Sequence, residues 1–263
     1  MYGYVKVGSA VPKLRVADCV YNKEEILKLV EAAAAKQVRV LSFPELSVTG
    51  YTCADLFFQT PLLHAAEQAI QEIAEATKAL NIFLLIGAPI AVDNQMFNCA
   101  VALYKGKLLG IVPKTHIPNY SEFYEERWFA SADDLLTEEI TYAGQNVPIG
   151  ADLIFAAADF PALKIGVEIC EDLWVPIPPS SYLSLYGATL LLNLSASNEL
   201  ASKNEYRRSL VANQSARCIC GYIYCSAGIG ESTQDMVFSG HSLICENGSV
   251  LNESDRFLNE NSL

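Results

Sequence analysis

Apolar residues along this chain follow two rhythms. Mostly apolar runs of strand length, Val38–Phe43, Ile82–Gly87, Lys164–Ile169, Ala188–Leu194 and Gly221–Cys225, are separated by stretches in which apolar residues recur every three or four positions. Runs without a polar face belong to strands covered on both sides, whereas the longer spacing belongs to helices with one buried stripe. The first helix is predicted from Asn22-Lys23-Glu24-Glu25, an N-cap candidate with an acid three residues on, followed by Ile26, Leu27, Val30 and Ala33. Thr60-Pro61 supplies an N-cap and a first-turn proline for a second helix running to about Leu80. Further helices are expected around Ser180–Tyr186 and over Lys203–Cys218.

The opening segment MYGYVKVGSAVPKLRV reads as a strand. From Phe97 to Val112 two strands join at Lys105-Gly106-Lys107, a hairpin signal, Asp152–Phe155 adds another strand, and a hairpin pair closes the chain. Between these blocks lies an irregular aromatic segment, PKTHIPNYSEFYEERWF. No repeat, low-complexity tract or linker divides the sequence, so residues 1–263 read as one domain. Helices mixed with parallel-type and hairpin strands predict α/β layers, sheets covered by helices.

Composition narrows the function. Of 263 residues 51% are hydrophobic and 18% charged, which excludes disorder and implies a large core. A net charge of −12 repels phosphate backbones and anionic headgroups, so neither nucleic acid nor a membrane is an expected partner. The longest apolar runs fall far short of the ~20 residues of a membrane helix, no signal-peptide core is visible, and the cytoplasm is the expected location. The eight cysteines are scattered through apolar segments and read as buried thiols. None has zinc-ligand spacing, so no metal is expected.

Three residues stand where apolar strands stop: Glu45 in FPELSVTGY, Lys114 in VPKTHIPNY and Cys170 in GVEICEDLW. Burying a lone charge at such a place costs several kcal/mol, so each needs a partner. A cysteine acts as a nucleophile when a base takes its proton and a cation or backbone N–H stabilises the charge that follows. Glu45 supplies a base and Lys114 a cation. A cysteine peptidase would instead pair Cys170 with His64, His116 or His241, none of which has a recognisable nucleophile–base context; His116 is expected to be a structural hydrogen-bonding residue beside the site. Gly228-Ile-Gly230 lacks the third glycine of a dinucleotide fingerprint and reads as a loop.

A Glu, a Lys and a Cys in this chain order resemble the nitrilase superfamily of carbon–nitrogen hydrolases. The segments FPELSVTGYTCADLF, VPKTHIPNYSEFYEERWF, VEICEDLWVPIPPS and LLNLSAS look like the glutaminase domain of glutamine-dependent NAD synthetases, over essentially the whole chain. The resemblance implies a four-layer α-β-β-α sandwich with the triad at strand ends. It implies Glu45 as general base, Cys170 as nucleophile, and Lys114 with the Glu171 N–H as oxyanion donors. Glu122 would hold the lysine and help move protons. Tyr120, Phe123, Glu171 and Ser197 would line the pocket for glutamine, which needs an acid for its α-ammonium and hydroxyls, N–H groups or a cation for its α-carboxylate.

By the same resemblance this chain needs no cofactor, ATP and magnesium belonging to a synthetase half with a pyrophosphate loop that the sequence does not contain. The expected partners are glutamine, an NAD synthetase domain or subunit, and further copies of the chain as a homo-oligomer. A piece of a longer enzyme, a separate subunit and a free-standing amidase all stay open. So do two other functions: a nitrilase-like amidase for another small amide, and a silent scaffold for oligomer assembly.

Overall fold

The computed structural model describes residues 3–263, so Met1 and Tyr2 of the expected opening strand lie outside the described residues. One sheet has five strands in the order β1 (Val7–Ser9), β2 (Val40–Ser42), β3 (Phe83–Val92), β4 (Gln95–Tyr104) and β5 (Lys107–Pro113). The first three run parallel and the last two join antiparallel. After a small hairpin of β6 (Glu139–Tyr142) and β7 (Gln145–Pro148) comes a second sheet of six strands. Its members in chain order are β8 (Ile154–Ala156), β9 (Lys164–Ile169), β10 (Leu190–Ser195), β11 (Gly221–Ser226), β12 (Leu243–Glu246) and β13 (Ser249–Glu253). Here β9, β10 and β11 are parallel at the centre, and the outer strands are antiparallel.

Alternate residues of each central strand enter different cores. Val40, Leu85, Ala102 and Val112 from the first sheet meet Val167, Ile169, Leu192, Leu194 and Ile223 from the second, filling the space between sheets. Their neighbours Leu41, Leu84 and Ile86 face α1 (Cys19–Ala35) and α2 (Thr60–Thr77). Leu191, Tyr222 and Tyr224 face the other way, toward α3 (Pro179–Leu185) and α4 (Lys203–Cys218). The order is helices, sheet, sheet, helices, as expected for a strand whose two faces are both buried. Leu192 lies fully buried mid-strand between the sheets. Leu192→Ala is expected to cost about 2–5 kcal/mol in urea unfolding, because the cavity cannot collapse between two hydrogen-bonded sheets.

Two helix starts differ from the sequence expectation. α1 begins four residues earlier, capped by Asp18, whose side chain accepts from the Tyr21 N–H at 3.0 Å. Asn22 is instead buried inside the helix, where it donates to the carbonyls of Arg15 and Val48 at 2.9 and 3.0 Å and accepts from the Arg15 N–H. It ties α1 to the loop that follows β2, a role its spacing to Glu25 does not reveal. In α2 the N-cap position is Gln59 rather than Thr60, without a side-chain capping bond, and the helix ends at Thr77. Gly228-Ile-Gly230 is a loop packed on residue 14: a Cβ on Gly230 would lie 2.0 Å from the Leu14 carbonyl oxygen.

Candidate active site

The carboxyl ends of β2, β5 and β9 converge, and each delivers one of the three singled-out residues. Lys114 directly follows β5, and Cys170 directly follows β9. Glu45 comes three residues after β2, in a tight turn in which Leu46 adopts φ +50°. That turn lies against the middle of β3. A Cβ on Gly87 would stand 2.2 Å from the Leu46 nitrogen and 2.6 Å from the Pro44 carbonyl oxygen, so only glycine lets the strand pass.

Lys114 is fully buried between two carboxylates. Its Nζ donates to Glu45 Oε1 at 2.7 Å and to Glu125 Oε1 and Oε2 at 3.0 and 2.8 Å. Glu45 Oε1 also accepts from Asn98 Nδ2 at 2.6 Å, and its Oε2 accepts from the Ala196 N–H at 2.8 Å, at the end of β10 in the other sheet. Glu125 further accepts from the Tyr51 hydroxyl at 2.8 Å. Burial alone would depress the lysine, but the Glu125 and Glu45 carboxylates outweigh it and hold the ammonium charged far above its ordinary range.

Glu122, expected to hold the lysine, does not touch it. Its Oε1 accepts from Asn198 Nδ2, and Glu125, three residues further along the same acidic run, takes the lysine. The short helical turn Glu125–Arg127 is what aims Glu125 inward. Burial pushes Glu125 up to about 7, with Lys114 opposing and Glu45 adding to the rise. The folded protein therefore keeps a proton that the unfolded chain releases near 4.5, and this group makes stability fall as pH rises from 4.5 to about 7. Glu125→Gln is expected to flatten that part of the slope, measured as wild-type minus variant unfolding free energy across the window.

Cys170 sits at φ +45°, a left-handed conformation that a non-glycine residue adopts only when its surroundings force it. Asp172 does the forcing. Its Oδ2 accepts from the Ile169 N–H at 2.9 Å and its Oδ1 from the His116 N–H at 2.7 Å, bending the cysteine turn and joining it to the lysine loop. Burial, then the Glu45 carboxylate, raises the Cys170 thiol; Lys114 and the Ala196 N–H pull the other way. The resting sulfur is a thiol in the field of a carboxylate, an arrangement suited to proton transfer as the sulfur attacks. Glu171 follows in the first turn, where backbone N–H groups have no intrahelical partner.

Beside this cluster, Tyr120 donates to Glu171 Oε1 at 2.9 Å and meets Phe123 edge-on at 5.9 Å between centroids. Ser197 is buried just beyond β10. Lys203, which the sequence reading missed, reaches the same place, its ammonium 5.0 Å above the Trp174 ring and 5.9 Å from that of Phe123. It donates to Asn198 Oδ1, and burial lowers its affinity for a proton despite the charges of Cys170, Glu122 and Glu171 nearby. A signal existed: Lys203 opens α4, where the helix dipole disfavours a cation. None of the three histidines hydrogen-bonds Cys170; His116 touches the site through its backbone, and His241 lies between Arg207 and Glu253. Among the described residues no group of three or more His, Cys, Asp or Glu side chains is placed to hold a metal, and no helix is long and apolar enough to cross a membrane.

The pattern of the family described as carbon–nitrogen hydrolase matches residues 7–259. The glutamine-dependent NAD(+) synthetase of Mycobacterium tuberculosis is 40% identical over 256 residues, covering 97% of this chain but only 38% of the relative. The structure of a glutamine-dependent NAD(+) synthetase from Cytophaga hutchinsonii superposes with a TM-score of 0.87 at 29% identity, covering 98% of this chain and 42% of the other. An amidase from Nesterenkonia sp. shares the fold, with a TM-score of 0.72 at 18% identity over 94% of this chain and 85% of its own.

Proposed function

From a chain that belongs to the carbon–nitrogen hydrolase family, we propose a glutaminase that hydrolyses the side-chain amide of glutamine through a cysteine thioester, releasing glutamate and ammonia. The observation that carries this reading is the buried Lys114 clamped by Glu45 and Glu125 beside a strained cysteine. A structural ion pair needs no thiol, and a core thiol needs no forced φ.

Each step follows from the groups in place. Cys170 Sγ attacks the amide carbon as Glu45 takes the thiol proton. Charge developing on the carbonyl oxygen meets the Lys114 ammonium and the Glu171 N–H. Collapse expels ammonia with the proton returned by Glu45, leaving a glutamyl thioester. Glu45 then takes a proton from water, whose attack frees glutamate and the thiol. Glu171, held by Tyr120, would take the α-ammonium, while Lys203 and the Ser197 hydroxyl would take the α-carboxylate, with the Tyr120 and Phe123 rings lining the pocket. Glu122 then acts at the pocket rim through Asn198 and Lys203.

The chain spans about 38% of the length of the mycobacterial relative, and we assign residues 1–263 to one glutaminase unit that serves NAD synthesis in the cytoplasm. The ammonia would pass to a synthetase domain or subunit, which would hold the ATP and magnesium; a homo-oligomer is the expected assembly. Ammonia release from glutamine, asparagine, butyramide and carbamoyl compounds tests the reading. Glutamine is expected to be preferred and, without a synthetase, turned over below the ~10 s⁻¹ median of enzymes, because the competent conformation is only partly populated. Preference for another amide would mark a free-standing amidase, and no turnover at all a scaffold. Glu45→Gln is expected to lower the single-turnover rate by about 10²–10⁴.

A further inference from the structure

A buried charge lies behind the proposed substrate pocket. Arg207, on α4, is fully buried, and its guanidinium is fixed from four directions. Nη1 donates to Glu199 Oε2 at 3.0 Å and to His241 Nδ1 at 2.9 Å; Nη2 donates to the Asn198 carbonyl at 3.0 Å and reaches Ser197 Oγ at 3.4 Å. A guanidinium only donates. His241 Nδ1 must therefore accept, which leaves the ring proton on Nε2 for Glu253 Oε1 at 2.8 Å. Ser197 Oγ is likewise an acceptor toward Arg207, and its N–H is taken by Ser226 Oγ at 3.2 Å. Among the described residues no acceptor within hydrogen-bond distance holds the hydroxyl hydrogen of Ser197, which has the Tyr224 hydroxyl on one side and the pocket on the other.

We infer that Arg207 is a positioning residue for substrate selection: by occupying a lone pair of the Ser197 hydroxyl and the adjacent carbonyl, it turns that hydroxyl into a fixed donor toward the substrate α-carboxylate. This rests on the glutaminase reading. Arg207 touches neither Glu45, Lys114 nor Cys170 by hydrogen bond, so its influence falls on which amide is bound rather than on how the amide is cleaved. Lysine in its place is a single point donor on a flexible stem and does not reproduce the fork that spans Ser197, Asn198 and Glu199.

The test compares glutamine with butyramide, which keeps the reacting amide and chain length but lacks both α substituents. In Arg207→Lys, KM for glutamine is expected to rise at least tenfold with kcat within threefold, while kcat/KM for butyramide falls by less than threefold. Equal losses on both substrates, or an unchanged glutamine KM, would overturn the inference. Ser197→Ala should lose the same discrimination, and adding Arg207→Lys to it should change KM no further. Should Arg207→Lys not fold, Glu199→Gln loosens the same guanidinium without touching Ser197, and a glutamine KM that stays put in that variant is equally decisive against the proposal. Wild-type protein with no preference for glutamine over butyramide sinks the glutaminase reading itself; a wild-type preference that survives Arg207→Lys sinks only this inference.

Discussion

Replacing Cys170 by alanine is expected to remove amide hydrolysis, by a factor of the order of ~10⁶ as for other nucleophile deletions, while moving the melting temperature by only about 2–4 °C. The two readouts separate because they draw on different parts of the residue. On the proposed reading the sulfur is the atom that would form the thioester, but to the core it is one small buried group, and its loss leaves a cavity smaller than that of a leucine truncation. Alanine at φ +45° is as strained as cysteine, so the backbone neither gains nor loses. Retained turnover in this variant would end the assignment. A glutamine analogue carrying an electrophile should label Cys170 alone, but a small general alkylator should not be so selective. Cys218 is half-buried, and contact with the Cys220 thiol lowers it to about 6, which makes it a rival the sequence did not announce. Labelling by both reagents, mapped by mass spectrometry in wild type and Cys170→Ala, separates recognition from mere reactivity.

Lys114→Met is expected to have the second largest effect, and on two axes. It removes the proposed oxyanion donor, a kind of group worth about 10²–10³ in rate elsewhere. It also leaves Glu45 and Glu125 buried together without the ammonium that joined them. Breaking a buried pair from one side costs about 3–5 kcal/mol, which in a chain of this size lowers the melting temperature by roughly 6–20 °C at neutral pH. The sign of the pH dependence identifies the cause. Glu125 is already raised by burial, and losing the ammonium raises it further, so the folded variant holds protons that the unfolded chain releases. Its stability therefore recovers as pH falls toward the carboxylate range. A deficit against wild type that shrinks from pH 8 to pH 5 supports this account; a deficit constant over that range would mean that packing, not charge, was lost.

Much of this arrangement was legible in the primary structure because it is written in short-range patterns. Lys164–Ile169 and Lys203–Cys218 are element for element what spacing predicted. Glu45, Lys114 and Cys170 could be singled out because an ionisable or nucleophilic side chain at the end of an apolar run is costly without a purpose. What stayed hidden depends on direction. Glu122, Glu125 and Glu126 lie within five positions of one another, and only the backbone path between Tyr120 and Arg127 decides which of them turns inward. Asn98 and Tyr51, which complete the hydrogen bonding of Glu45 and Glu125, sit in segments that read as ordinary strand and loop. In the sequence Arg207 is one of several charges on its helix, and its four partners, which come from two separate segments, 197–199 and 241, are not visible there.

The close passage of β3 beneath the Glu45 turn constrains how this protein can diverge. At Gly87 the obstacle to a side chain is main chain on the other side, the Leu46 nitrogen and the Pro44 carbonyl, so trimming a neighbouring side chain makes no room. In a saturation library Gly87 should therefore score beside Cys170 for lost activity although it contributes no functional group, and it should lack compensating partners. Substitutions in the two side-chain cores can be offset by second substitutions across the layer, giving pairwise epistasis of either sign. Gly87 has only a unilateral dependence: any lineage that changed it would first have to rebuild the turn that carries Glu45, and with it the proton transfer proposed for that residue.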